Sequence, residues 1–299
     1  MKFGVMVSTG LTRPASAQTE ADYVTRLALV GEEAGFDSVW CADRTVYPAD
    51  LAARYPAQYG PESGGLDGQK VMTTLSFLAG RTSRVTVGFC VMVLPFRNPV
   101  LNANMVTTLD VLSGGRVIFG AGVGWMPEEF EAIGASYPDR GAQTDEHIEM
   151  FKALCADGVA EYHGDHFRVS DMTFFPKPLQ KPHPPVWIGG RTGRAVRRAA
   201  RLGPQRHDAR AGGSRTRQAG LALRARGPQP RRRHDGDVPD SAPGPEQRQA
   251  VGTPEPSGSV QEMADLVGRY GDAGVEHMVI SVAENGPDAA SEAVTRFAE

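Results

Sequence analysis

Val85-Thr86-Val87-Gly88-Phe89-Cys90-Val91-Met92-Val93 is a nine-residue apolar run with four valines and a threonine, and it stops at Leu94-Pro95-Phe96-Arg97-Asn98-Pro99. A β-branched run of this length, closed by prolines, reads as a strand buried on both faces, as strands of a parallel sheet are. Parallel strands need helices between them, and the flanking sequence supplies them. Residues 71–78 precede the run with helical periodicity. Residues 101–112 follow it as a second helix, and Ser113-Gly114-Gly115 turns the chain into another apolar run over 116–120.

The same alternation extends outward. Toward the N-terminus, residues 3–7 read as a first strand. Residues 20–34 read as a helix with Tyr23, Leu27, Leu29 and Val30 on one face and Gly35 as its cap, and Ser38-Val39-Trp40-Cys41 as a second strand. The stretch 47–68 is rich in Pro, Gly and Tyr and reads as a long loop. Toward the C-terminus come a helix over 145–155, a hairpin around 162–167, a fifth strand over 185–188 and a helix over 195–202. A helix over 260–270, a strand over 276–282 and a closing helix over 289–297 complete the pattern. The reading is an α/β fold, a TIM (β/α)8 barrel, with residues 1–299 as a single domain.

Composition narrows the class. The N-terminus enters a strand pattern without an apolar signal core, and no later run reaches the length of a membrane span, so a cytoplasmic protein with no membrane partner is expected. Cys41, Cys90 and Cys155 are far apart without a CxxC pair, which points away from disulfides and from a thiolate metal site.

Four motifs carry candidate chemistry. Gly120-Ala121-Gly122-Val123-Gly124-Trp125 follows a strand and precedes a helix, which suits close backbone approach to a ligand; the spacing is not GxGxxG, and a tight strand-to-helix turn explains the glycines equally. Gly189-Gly190-Arg191-Thr192 ends the fifth strand in a similar way, either as an anion site reinforced by Arg194 or as a plain turn with solvated arginines. Asp43 and Arg44 lie at the carboxyl end of the second strand, where barrel chemistry is found, yet a solvated pair would look the same. His163 and His166 are spaced HxxH without an HExxH helix, and a hairpin tip is the better reading, so no metal is assigned. Glu128-Glu129 and Asp145-Glu146 read as helix-start charges.

Several blocks together resemble the luciferase-like superfamily. They are Glu32-Glu33-Ala34-Gly35-Phe36-Asp37-Ser38-Val39-Trp40, Leu94-Pro95-Phe96-Arg97-Asn98-Pro99-Val100 and Leu109-Asp110-Val111-Leu112-Ser113-Gly114-Gly115-Arg116. Gly122-Val123-Gly124-Trp125 with Glu128-Glu129-Phe130, and Pro184-Pro185-Val186-Trp187-Ile188-Gly189-Gly190, complete the set. The resemblance covers 1–202 and 260–299 and is closest to the F420-dependent oxidoreductase branch. It implies coenzyme F420, alternatively FMN, lying across the strand ends against Cys90 and Val91, where relatives often carry a bulge or a non-proline cis peptide. It further implies that Gly120, Gly122 and Gly124 pass beside the ring and that Gly189, Gly190, Arg191 and Thr192 meet the cofactor phosphate. Asp43, Arg44 and Trp125 then line the pocket as the candidate catalytic residues, acting on a small-molecule substrate. A homodimer is common among such proteins. Two departures matter: many relatives have His where this chain has Arg44, and Arg is a poor acid or base. Val123 also stands where sugar-phosphate-oxidising relatives have Glu.

One segment breaks the pattern. Residues 203–250 hold ten Arg against four Asp and one Glu, and their only large aliphatics are Leu221, Leu223 and Val238. This composition does not supply the sixth and seventh strands and reads as disordered. A nucleic-acid arm would suit Arg231-Arg232-Arg233, but aromatics for base stacking are missing, and no nucleic-acid partner is expected. The remaining explanations are an insertion and a shifted reading frame. Back-translation with the first base dropped permits His-Ser-Gly-Met-Thr-Pro over 204–209 and Gly-Arg-Asn-Pro-Asp-Asp-Val-Thr-Met over 227–235, both in keeping with the family pattern. With five Lys against 27 Arg, the gene is expected to be GC-rich. The expectation is an oxidoreductase barrel disrupted in its sixth and seventh strands; the alternative is an impaired barrel or binding protein.

Overall fold

The computed structural model describes residues 1–7, 17–56, 70–190, 223–225, 260–272, 275–282 and 287–298. In chain order these form β1 (Lys2–Met6), α1 (Ala17–Glu33), β2 (Ser38–Cys41), α2 (Leu51–Arg54), α3 (Val71–Arg81), β3 (Thr86–Phe89), β4 (Met92–Val93), a 3-10 turn (Leu94–Phe96), α4 (Pro99–Leu112) and β5 (Val117–Gly122). They continue through α5 (Pro127–Ile133), α6 (Arg140–Cys155), the hairpin β6 (Ala160–His163) and β7 (Arg168–Met172), β8 (Val186–Ile188), β9 (Leu223–Ala225), α7 (Val260–Asp272), β10 (His277–Val282) and α8 (Pro287–Ala298). Among the described residues no helix is long and apolar enough to cross a membrane.

The main sheet is parallel throughout. From β8 it passes to β5, then through β3, β2, β1 and β10 to β9. Side chains alternate strictly. Phe3, Val5, Val39, Val87, Phe89, Val117, Phe119, Ala121, Ile280 and Val282 pack outward against the helices. Met6, Trp40, Cys90, Ile118, Trp187 and Val279 form a separate inner cluster. Trp187 stacks on Trp40 at 5.0 Å and meets the edge of His277 at 5.2 Å. Since β8 and β10 lie near opposite ends of the pairing order, these contacts require the sheet to curl round on itself in the manner of a TIM-type α/β barrel, although β8 and β9 do not pair among the described residues. Its interior is filled, and filling it needs glycine: a Cβ on Gly4 or Gly88 would come within 2.3 Å of the Trp40 ring.

The third barrel strand is interrupted. Gly88 pairs with Ile118 and Met92 with Ala121, so β3–β4 carries one residue more than β5 between the two pairings. The extra residue falls at Cys90–Val91, whose peptide bond is cis, matching the place named by the family resemblance. The continuous strand over 85–93 is corrected accordingly. A second correction concerns the segment 203–250, which was not expected to supply a strand: β9 pairs Leu223, Arg224 and Ala225 with Ile280, Ser281 and Val282. Parallel pairing uses backbone groups, so a short strand forms there without an apolar run. The rest of that segment, with Arg231, Arg232 and Arg233, lies outside the described residues, as does the helix expected over 195–202.

The amino end of the barrel is tied by the half-buried Arg116 and the buried Glu32. The Arg116 guanidinium donates to the carbonyls of Ser113 (2.7 Å), Val85 (2.7 Å) and Ala79 (2.8 Å), joining α3, α4 and the entry to β5. Glu32 accepts the backbone N–H groups of Ser83, Arg84 and Val85. Burial alone would raise its pKa, yet these three donors hold it below the usual carboxylate range.

Candidate functional site

The bulge turns two successive side chains to the inner side of the barrel at its carboxyl end. Cys90 packs into the inner cluster. Val91 leans across the ends of β5 and β8: a Cβ on Gly122 would lie 2.1 Å from one Val91 methyl, and a Cβ on Gly189 2.4 Å from the other. A Cβ on Gly120 would lie 1.8 Å from the Phe89 carbonyl oxygen. Gly124 has φ +74° and sits against Phe130 and Val93. Each of these glycines therefore admits a neighbouring part of the protein and brings β3–β4, β5 and β8 close together. The result is an uncharged floor of Cys90, Val91 and bare backbone. Burial pushes the Cys90 thiol up to about 11, so the floor stays neutral at pH 7.

Below the floor lies a layer that the sequence reading did not single out. The Trp40 indole donates to Ser38 Oγ at 2.7 Å, and Ser38 Oγ lies 2.7 Å from His277 Nε2. Burial lowers the His277 pKa to about 4, with Asp37 opposing and Lys2 assisting. The imidazole is therefore neutral and completes an uncharged, hydrogen-bonded layer under the floor.

The rim is charged but paired. Asp43, fully buried in its side chain, takes a bidentate hold on Arg97 (Oδ2–Nη1 2.6 Å, Oδ1–Nη2 2.7 Å) and accepts the Val93 N–H at 2.9 Å. It thereby locks the 3-10 turn and β4, and with them the bulge, onto the end of β2. Arg44 points the other way. Its Nη1 donates to Glu129 Oε2 at 3.0 Å, while Glu129 Oε1 accepts the Thr45 N–H at 2.5 Å. The Arg44 guanidinium lies 4.8 Å from the centre of the Trp125 ring. Trp125 is also met edge-on by Tyr55 at 4.9 Å, and Tyr55 donates to Glu128, which in turn pairs with Arg54. Burial first, then the bond to Glu128, pushes the Tyr55 phenol up to about 12.

Of the candidate residues, Cys90, Val91, Gly120, Gly122, Gly124, Gly189 and Gly190 gather at one end of the barrel with Asp43, Arg44 and Trp125 on its rim. Gly190 is exposed with φ 137°. Arg191 and Thr192 lie outside the described residues. The adjacent charges Asp43 and Arg44 do not pair with each other. Their partners, Arg97 and Glu129, were missed as site residues: Arg97 was visible within Leu-Pro-Phe-Arg-Asn-Pro, and Glu129 was read as a helix-start charge, which it also is. His163 turns to Glu161 and Ser170 on the hairpin.

The family described as luciferase-like monooxygenase matches residues 1–232. An uncharacterized protein of Mycobacterium tuberculosis is 33% identical over 192 residues, covering 62% of this chain and 65% of that one. The FMNH(2)-dependent dimethylsulfone monooxygenase of Pseudomonas putida is 31% identical over 187 residues, 61% of this chain and 47% of its own. The matches thus span less than two thirds of these relatives. A solved F420-dependent secondary alcohol dehydrogenase, in complex with an F420-acetone adduct, superposes with a TM-score of 0.68 at 15% identity, covering 99% of this chain and 97% of that one.

Proposed function

The chain belongs to the luciferase-like monooxygenase family, and from that premise we propose that it is an oxidoreductase using a deazaflavin (F420) or a flavin (FMN) to exchange a hydride with a small organic substrate. The observation that carries the reading is the neutral floor of Cys90 and Val91 at the carboxyl ends of parallel strands. Such a floor suits a planar ring, being apolar, without an ionised thiol, and backed by the Trp40–Trp187 stack. Cys90 and Val91 would lie under the ring, with Gly120, Gly122 and Gly124 behind them. Gly189 and Gly190, with Arg191 and Thr192, would hold the phosphate. Once bound, the cofactor supplies the hydride acceptor or donor.

The chain's own residues then position and desolvate. Asp43 fixes the bulge through Arg97 and Val93, and its carboxylate is fully engaged. Trp125 and Tyr55 form an aromatic wall on the side of the mouth nearest β5 and limit the entry of water. Arg44 supplies fixed positive charge and no proton at neutral pH. F420 stands first because the sequence blocks resemble that branch; FMN with oxygen, giving a monooxygenase, is the alternative. A homodimer through the uncharged outer face of α4 belongs to the same proposal.

One observation favours a second reading. The composition of residues 203–250 departs from that of a barrel segment, which supports an impaired barrel or binding protein. Titrating the purified chain with F420 and with FMN, read by cofactor fluorescence and thermal melting, separates the two. The oxidoreductase reading expects saturable binding of one cofactor with a raised Tm, and a folded chain that binds neither supports the impaired barrel.

A further inference from the structure

We propose that Arg44 anchors an oxyanion carried by the substrate, so that the protein acts on small organic anions such as carboxylates or sulfonates. The inference rests on the oxidoreductase reading above and deepens it. Three arginines stand on the rim, and two are each held through two nitrogens: Arg97 by both oxygens of Asp43, and Arg54 by Asp50 and Glu128. Arg44 is answered at one nitrogen. Glu129 spends Oε1 on the Thr45 N–H and has only Oε2 for Arg44 Nη1. Nε and Nη2 of Arg44 have no partner among the described residues, and its side chain is 16% exposed.

Those two N–H groups form the parallel fork that suits a carboxylate or sulfonate. The guanidinium is held in place before a ligand arrives, since Glu129 ties one edge and the Trp125 ring supports its face at 4.8 Å. A preorganised donor pair loses little freedom on binding. Lys70 adds a second cation beside it: Nζ donates to the carbonyls of Arg44 (3.2 Å) and Thr45 (2.8 Å) and meets no carboxylate among the described residues. With Asp43, Asp50, Glu128 and Glu129 set against Arg44, Arg54, Arg97 and Lys70, the rim charges balance, so the attraction is local to the Arg44 fork and to Lys70 beside it. An oxyanion would fill both N–H groups of that fork, and an uncharged substrate would leave them to water.

The same chemistry is offered by the cofactor's phosphate, so the test separates the two sources. Acetate, methanesulfonate and inorganic phosphate are titrated into the full chain at constant ionic strength, read by tryptophan fluorescence with Trp125→Phe identifying the reporter. F420 and FMN affinities are measured in parallel. A saturable signal from acetate or methanesulfonate is expected, weakened roughly 10- to 100-fold in Arg44→Gln, by an intermediate factor in Arg44→Lys, and strengthened in Glu129→Gln, with cofactor affinity unchanged in all three. If Arg44→Gln does not fold, the tightening in Glu129→Gln alone decides. Equal anion binding by all variants, or no saturable binding by the wild type, overturns the proposal. Loss of cofactor affinity in Arg44→Gln with acetate binding unchanged assigns the fork to the cofactor phosphate and also overturns it. Anion binding by a wild-type chain that takes up neither cofactor would sink the oxidoreductase reading while leaving the anion site standing.

Discussion

Gly120 shows how a single hydrogen atom can hold the site open. Its missing side chain admits the Phe89 carbonyl, and a Cβ would stand 1.8 Å from that oxygen, against backbone that cannot step aside. Gly120→Ala should lose on the order of 3 kcal/mol or fail to fold, whereas Gly80→Ala, with nothing within 4 Å in α3, should gain up to about 1 kcal/mol; chemical denaturation measures both. Sequence reading found these glycines but could not say what they admit, because a glycine beside a ligand and one beside a carbonyl look alike. Asp43 and Arg44 were found for their position, and their partners lie 54 and 85 residues away, beyond any local pattern. Two histidines make a pH prediction. Burial lowers His147 and His277 to about 4, below the unfolded value near 6.5. Above about pH 6.5 neither folded nor unfolded form is protonated and the histidines add no pH dependence. As pH falls from 6.5 toward 4 the unfolded chain takes up protons first, so stability drops by up to about 1.4 kcal/mol per pH unit for each, then levels. His147→Gln and His277→Gln should each flatten the fall of Tm over that window relative to their own value at pH 7; an unchanged slope would contradict the assignment.

At the scale of elements, strands buried on both faces were the most legible feature, since β-branched runs between helical periods leave little choice. The bulge was not readable from periodicity, because an apolar run on both faces has no phase to lose. Only the family resemblance pointed to Cys90 and Val91. β9 escaped because its pairing is backbone alone, and composition reports on side chains. The bulge is held by one carboxylate, which gives a prediction for the element rather than the residue. Asp43→Ala leaves Arg97 unpaired and releases the Val93 N–H, and should cost about 3–5 kcal/mol. Arg97→Ala should cost a similar amount, since it strands a buried carboxylate. The double variant should cost less than the sum of the two, and a double-mutant cycle reads the coupling directly; additive losses would mean that the pair does not act as one clamp.

For the whole molecule, the exposed apolar surface is unevenly spread. Leu101 and Leu112 on α4 are 62% and 73% exposed, and Phe175 and Leu179, on the loop packed beside α4, are 71% and 55% exposed. The one charged residue of α4, Asp110, is buried on Gln180. A neutral apolar face of this kind meets a copy of itself without like-charge repulsion. Leu101→Glu with Leu112→Glu should shift the chain from dimer to monomer in sedimentation velocity, and a wild type that sediments as a monomer would remove the homodimer from the account. The central claim concerns the inner end of the barrel, and a crystal structure of the chain with F420 or FMN tests it most directly. The account predicts the ring in van der Waals contact with Val91, about 3.5–4 Å away, with its phosphate at Gly189 and Gly190. A ring bound away from the Cys90–Val91 floor, or at the amino end of the strands, would contradict it.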